Sequence, residues 1–275
     1  MSNILQDKSP AKIINAIEEN LSSWIPVLGK MGEAHMNDPA GVNRSITDIP
    51  IALFNSIMDA RLVPDRVDAT IQSILSDARG RNVPVLWWTG PSTRPVDLGK
   101  RLEKYGFDHD DEAPGMAVDL AMLNESRPVL EGLSIQHAQE DASWRQWSNA
   151  MAIGFEVPAS ADFFVNAWHN FLCLADPDTI LAYTGWMDGK PVATSLLFLA
   201  AGVAGIYSVA TIPEARRKGI GAWMTLYPLC QARSMGYQIG ILQSSAMGLS
   251  VYSSLGFQEY CKINMYRWPK RGNAG

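Results

Sequence analysis

Three residues in one turn have the types and spacing for chemistry. Arg216, Gly219 and Gly221 stand at i, i+3 and i+5 in the run Arg216-Arg217-Lys218-Gly219-Ile220-Gly221-Ala222. Ile206 to Thr211, just before, reads as an apolar strand. Gly219 to Met235 reads as a helix, with Pro228 the place for a kink. A helix N-terminus exposes unpaired N–H groups and carries roughly half a positive charge. Cations are unfavourable there, yet three are placed at that end, and an anion would resolve the conflict. The glycines have no Cβ, so phosphate oxygens can approach the backbone closely. The chemistry implied is main-chain binding of a pyrophosphate. A solvated basic turn capped by glycines presents the same residues, and so short a pattern recurs by chance.

The residues C-terminal to this turn narrow the choice. Tyr237 to Leu242 reads as a strand, and Ala246 to Leu255 as a helix carrying Tyr252 and closing on Gly256-Phe257. In this order the segment resembles the GNAT superfamily of acyl-CoA-dependent N-acyltransferases. There, Arg/Gln-x-x-Gly-x-Gly/Ala joins the fourth strand to the third helix and cradles the pyrophosphate of coenzyme A. A tyrosine-bearing helix ending in Leu-Gly-Phe comes later. The resemblance implies an acetyl-CoA site built from Arg216, Arg217, Lys218, Gly219, Ile220, Gly221 and Ala222. Val209, Ala210 and Thr211 would supply a splayed strand end for the pantetheine arm; ordinary strand pairing is the plainer reading of those three. Ser245 stands where many members carry Asn, seven residues before the tyrosine. It can cap the helix and counts as a coenzyme contact by position. Arg217 stands where Gly is common, which stiffens the turn.

The implied reaction is acyl transfer from a thioester to a primary amine, by direct attack in a ternary complex. It needs donors for an oxyanion, an acid for the thiolate and a base for the ammonium. Tyr252 is the candidate acid, since a phenol titrates near 10 and a thiol near 8.5. A core aromatic packed beside Leu249 and Leu255 would look the same. Glu156 is the candidate base, acting through water from a loop that lines the acceptor pocket in the family; an exposed loop carboxylate is the plainer reading. His169 and Asp162 are lesser candidates. The alternative from another class is a non-catalytic acyl-CoA-binding sensor or partner-protein module.

The elements that must position these groups occur twice. Ile51 to Met58, Val67 to Gly80, Val83 to Trp88, Val96 to Tyr105 with Gly106-Phe107, and Met116 to Leu120 read as strand, helix, strand, helix and strand. Ile206 onward repeats that order through Ile263 to Trp268, and the two Gly-Phe pairs lie 150 positions apart. This predicts an α/β fold of two GNAT-like units in tandem, each a mostly antiparallel sheet flanked by helices. The expected division is 1–130, degenerate and without coenzyme, and 131–275, acyl-CoA-binding. The equivalent turn of the first unit, Asp59 to Asp65, has no glycine to admit phosphate, and Asp65 can satisfy the helix dipole itself. That unit is expected to pack against the second and shape its acceptor site. A simple α/β domain unrelated by duplication is the rival. Ser9-Pro10 opens a first helix running to about Val27. Leu133 to Ala138 starts the second unit, and helices near Asp141 to Met151 and Ala161 to Phe171 come next.

Composition excludes several classes. With 275 residues, 47% of them hydrophobic, the chain can bury a sizeable core. A net charge of −5 argues against general nucleic-acid binding. Cys173, Cys230 and Cys261 are an odd, unpaired set, read as reduced and mostly buried thiols without disulfide or zinc. The four scattered histidines suggest no metal either. Val192 to Pro213 is uncharged and long enough for a membrane span, but Ala201 to Gly205 interrupts it and Asp188-Gly189 precedes it as a hairpin turn, so it reads as two buried strands. No basic start leads an apolar core at the N-terminus. The expectation is a cytoplasmic protein acting on a small-molecule amine or a peptide, with no nucleic acid or membrane partner and a homodimer open. The nine tryptophans belong to the core or to an aromatic-walled acceptor pocket.

Overall fold

A computed structural model describes residues 4–36, 41–158 and 160–269. In chain order the elements are α1 (Pro10–Ser22), α2 (Trp24–Leu28), β1 (Glu33–His35), β2 (Asn43–Ile46), β3 (Ser56–Met58), α3 (Val67–Arg81), β4 (Val85–Thr89), α4 (Leu98–Lys104) and β5 (Asp108–Asp119). Then come β6 (Leu133–Ala138), α5 (Asp141–Gly154), α6 (Asp162–Leu174), β7 (Ile180–Met187), β8 (Lys190–Ala200), β9 (Val203–Thr211), α7 (Ile220–Ser234), β10 (Ile239–Gln243), α8 (Leu249–Ser254) and β11 (Gln258–Trp268). None of the helices is long and apolar enough to cross a membrane, among the described residues.

The chain forms two compact units, and neither is continuous in sequence. The larger holds the residues up to Asn20 and Gly115–Tyr260; the smaller holds Leu21–Pro114 and the residues from Cys261 on. This differs from a cut between 130 and 131. The reason lies in which strands pair. In the larger unit the order is β5-β10-β9-β8-β7-β6, and Gly115 to Asp119 of β5 runs antiparallel to β10. In the smaller the order is β1-β2-β3-β4-β11-β5, and Asn264 to Trp268 of β11 runs antiparallel to β4. Each unit therefore takes its closing strand from the other half of the sequence. Side-chain periodicity reports that a segment is a strand, not which strand it will pair with.

The repeat is otherwise present in order. Each unit has one parallel pair joined through a helix: β3 with β4 through α3, and β9 with β10 through α7. Each then has a short helix ended by a glycine with positive φ, Gly106 at 87° and Gly256 at 101°. Both are followed by a phenylalanine that returns to the core, Phe107 at 0% and Phe257 at 3% exposure. The left-handed stop without a Cβ is what glycine supplies there. Asn82 (φ 55°), not Gly80, ends α3. Ile51 to Met58 forms a short 3-10 turn before the three-residue strand β3, so most of that apolar run is not strand.

In the larger unit, β7 to β9 form an antiparallel meander, and β6 pairs antiparallel with β7. Its turns are Asp188-Gly189 and Ala201-Gly202, all four with positive φ. The long uncharged run Val192 to Pro213 is thus β8, a two-residue turn and β9, and its side chains are largely buried. One face packs on α7 through Leu197, Ile206, Ile220, Met224 and Leu229. The helix α7 continues through Pro228. On α5, Trp147 is fully buried and donates to the Ser195 carbonyl at 3.1 Å. The helix α1 is tied to this unit by Asn20, whose Nδ2 donates to the carbonyls of Phe198 and Ala200 at 3.3 and 2.9 Å. The smaller unit has its own core, with Ile57, Ile71, Leu75, Trp87, Leu102 and Phe107 at its centre.

Candidate active site

The strand β9 prepares the site by leaving its neighbour. It pairs with β10 only at Ala204 and Gly205, opposite Gly240 and Ile241. Beyond that point the β10 side of Val209, Ala210 and Thr211 has no strand against it among the described residues. The divergence has a local cause in a bulge. Opposite β8 the register shifts between Thr194 and Leu196, where Ser208 has φ +49°. A bulge bends its strand and adds local twist. The Thr194 hydroxyl holds it by donating to the Ser208 carbonyl at 2.9 Å. Nothing in the residue types announces the bulge, because Ser208 is not a glycine.

After β9 a 3-10 turn, Pro213–Ala215, leads to the basic turn and α7. Gly219 takes φ +82° as the residue before the helix, a left-handed conformation natural to glycine. A Cβ built on Gly219 or Gly221 would meet nothing within 4 Å. At the start of α7, Ala222 donates to the Gly219 carbonyl at 3.2 Å, while the N–H groups of Ile220 and Gly221 have no partner within the helix. Together these give an open cradle of main-chain donors, so the residues present fit a pyrophosphate. Arg217 is held at φ +60°, a left-handed conformation strained for a residue with a Cβ.

Arg216 behaves differently from its neighbours. Its guanidinium donates from Nε to the Thr211 carbonyl at 3.1 Å, from Nη2 to the Gly154 carbonyl at 2.8 Å and from Nη1 to Glu156 Oε1 at 3.1 Å. All three nitrogens are engaged by protein. The side chain pins the end of β9 to the end of α5 and to the loop beyond it. Glu156, at φ +55°, is thereby the ion-pair partner of Arg216. Gly154 permits the junction: a Cβ there would stand 2.8 Å from Ala210 Cβ and 3.3 Å from the Thr211 nitrogen.

The third wall comes from the segment before and within α8. Ser245 Oγ accepts from the Gly248 N–H at 3.2 Å, so it does order the entry to the helix. Tyr252 lies four residues after Gly248, and a Cβ on that glycine would stand 2.6 Å from its ring. Phe257 packs edge-on against the same ring, with centroids 6.0 Å apart. Burial pushes the Tyr252 phenol up to about 12, so the group stays protonated across neutral pH.

These pieces enclose one cleft of about 730 Å³. Of the residues singled out from the sequence, it brings together Val209, Ala210, Thr211, Arg216, Arg217, Gly219, Ile220, Gly221, Ala222, Ser245 and Tyr252. Lys218 and Glu156 do not line it. Residues not foreseen in it are Arg127, Pro213, Ala215, Met247, Gly248, Val251 and Ser254. None of the nine tryptophans lines it; Trp87, Trp147 and Trp168 are core residues.

His169 and Asp162 stand elsewhere. Asp162 begins α6. His169 is 8% exposed, with Nε2 2.9 Å from Asp141 and Nδ1 3.1 Å from the Arg145 guanidinium. An arginine only donates, so Nδ1 accepts and Nε2 carries the hydrogen toward Asp141. The Cys173 sulfur lies 3.9 Å from Nε2, which gathers three groups of metal-ligand type. Arg145 supplies a cation beside them and fixes the tautomer that blocks Nε2, so the cluster acts as a clip between α5 and α6. Of the three cysteines only Cys261 is buried; Cys173 is exposed, against the expectation of mostly buried thiols.

Residues 132–239 match the family model described as Acetyltransferase (GNAT) domain. A comparison with curated protein sequences finds no match. Among solved structures, the chain is similar to a GCN5-related N-acetyltransferase from Kribbella flavida, with a TM-score of 0.71 at 19% identity, over 94% of this chain and 98% of that one. A GCN5-related N-acetyltransferase from Sphaerobacter thermophilus gives 0.59 at 16% identity, over 96% of both. A tandem GNAT protein from the clavulanic acid biosynthesis pathway, solved without AcCoA, gives 0.58 at 14%, over 82% of this chain and 77% of that one. At these identities the likeness is one of fold.

Proposed function

We propose that the larger unit, in which residues 132–239 match the GNAT acetyltransferase domain model, moves an acetyl group from acetyl-CoA to a primary amine, by direct attack in a ternary complex. The observation that carries this is the single cleft in which the glycine cradle, the unpaired edge of β9 and Tyr252 meet. Bound acetyl-CoA would supply a thioester already activated for acyl transfer.

The chain's own residues then have separable tasks. The N–H groups at Gly219, Ile220 and Gly221 hold the pyrophosphate beside Ala222, assisted at longer range by Arg217 and Lys218. The free edge at Val209, Ala210 and Thr211 aligns the pantetheine arm and offers an N–H where negative charge develops on the carbonyl oxygen. Tyr252, kept protonated by burial, donates its phenolic hydrogen to the departing sulfur. Arg216 positions the strand end, with three of its five N–H donors held by Thr211, Gly154 and Glu156. Glu156 remains our assignment for the acceptor's proton, taken through water, with Arg216 fixing the loop that carries it. Acceptors are small-molecule amines or peptides; neither nucleic acid nor a membrane is part of this reading.

The test is release of coenzyme A thiol from acetyl-CoA across a broad amine panel, with Tyr252→Phe and Glu156→Gln beside wild type. Amine-dependent release that falls about 100-fold or more in Tyr252→Phe is expected. Acetyl-CoA binding without release on any amine would overturn the enzyme and leave an acyl-CoA-binding module.

A further inference from the structure

One arginine in the cleft belongs to no motif. Arg127 comes from the segment between β5 and β6, yet it faces the same space as the glycine cradle. The segment is strapped to two helices. Asn124 donates from its backbone to the Leu255 carbonyl at 3.1 Å and from its side chain to the Ser254 carbonyl at 3.0 Å. Trp223 of α7 donates from Nε1 to the Pro128 carbonyl at 3.3 Å. Arg127 itself donates from Nη2 to Ser254 Oγ at the end of α8.

The rest of its hydrogen-bonding capacity is unused. The Nε–H is buried without a partner, and no carboxylate stands within ion-pair distance of Arg127 among the described residues. Its near neighbour Glu125 is taken by Arg233 at 2.7 Å. An arginine fixed on a cleft wall, with its Nη1 donors unbonded and no counter-charge, is matched to a doubly charged oxyanion. The pyrophosphate already has its donors at the start of α7. Coenzyme A carries one further phosphate, the monoester on the ribose 3′ oxygen.

Resting on the acetyl-CoA reading above, we infer that Arg127 binds that 3′-phosphate and makes this cleft select coenzyme A over its 3′-dephospho form. The discriminating residue then lies in the segment before the acetyltransferase domain, outside residues 132–239.

The experiment is calorimetric titration of the full chain with coenzyme A and with 3′-dephospho-coenzyme A, for wild type, Arg127→Gln and Arg127→Lys. Wild type is expected to bind coenzyme A about tenfold tighter or more. Arg127→Gln should abolish the preference by weakening coenzyme A alone, and Arg127→Lys, which keeps the charge without the fork, should keep part of it. Equal weakening of both ligands in Arg127→Gln would assign Arg127 to the pyrophosphate or to the strap and overturn the inference. So would wild type binding both ligands equally. Wild type binding neither would instead overturn the acetyl-CoA reading on which the inference stands.

Discussion

Gly248 makes the position of Tyr252 testable without touching the tyrosine. Its backbone, at φ −81° and ψ −21°, suits any residue, so alanine brings no strain of its own. The new Cβ would meet Tyr252 Cε2 at 2.6 Å and Cδ2 and Cζ at 3.3 Å. Ordinary contact begins at 3.4 Å, so the ring must retreat by about 0.8 Å. Phe257, buried and set edge-on against that ring, restricts the retreat. A hydrogen bond to a leaving group has a working window of roughly half an ångström, and a misplacement near 1 Å can lower turnover about 100-fold. Gly248→Ala should therefore lower kcat by roughly 10- to 100-fold. Stability should hold, because removing a glycine at a permissive backbone gains about 0.4–1 kcal/mol through the unfolded state. The assay is steady-state thiol release with Tm by calorimetry, on Gly248→Ala, Tyr252→Phe and the double variant. The double variant should be no slower than Tyr252→Phe, since both act through one phenol. Full activity in Gly248→Ala, or strictly additive losses, would refute the reasoning.

The same geometry sets three further outcomes. Gly221→Leu projects its side chain into open space, so Tm should hold while acetyl-CoA affinity, read by calorimetry, falls tenfold or more; unchanged affinity would remove the cradle from the site. Arg216→Lys cannot reach Thr211, Gly154 and Glu156 at once; urea unfolding should show a loss of about 1–3 kcal/mol, and an unchanged midpoint would deny the pin. Tyr252 also predicts a pH effect on stability. Its phenol titrates near 12 when folded and about 10 when unfolded, so the native state keeps a proton that the unfolded state gives up above pH 10. The contribution is complete below pH 10 and falls as pH rises toward 12, by about 2–3 kcal/mol in all. Urea titrations from pH 9 to 12 should show this loss in wild type and a smaller one in Tyr252→Phe.

How much was legible in the sequence depended on whether a residue's own type carried the signal. Gly106, Gly219 and Gly256 announce left-handed backbone, and all three have it. Asp188-Gly189 announces its hairpin, and Ala201-Gly202 the turn that divides the uncharged run into two strands. Where ordinary residues take special conformations the sequence is mute: Ser208, Glu156 and Arg217 all have positive φ, and they shape the strand end, the loop and the turn. Gly154 and Gly248 are glycines needed for close approach, which depends on what lies opposite in space. The strands β1 and β2 are short and polar, with no alternation to read. The first half of β5, Asp108 to Glu112, looks like a loop for the same reason. Arg127 was hidden by its place in a connecting segment.

The exchanged closing strands bear on how the chain is made. During synthesis from the N-terminus, β4 leaves the ribosome with the strand that will cover one of its edges still about 175 residues away. At usual elongation rates that is a wait of roughly 10–35 s, far longer than local helix and hairpin formation. An uncovered edge is a template for pairing with other chains, so the nascent smaller unit passes through an interval of exposure that a contiguous domain would avoid. The larger unit, in contrast, has α1 and the 115–119 strand in hand before its own meander appears. A fragment starting after residue 125 would lose both, and its inactivity would report a broken sheet rather than a missing acceptor wall.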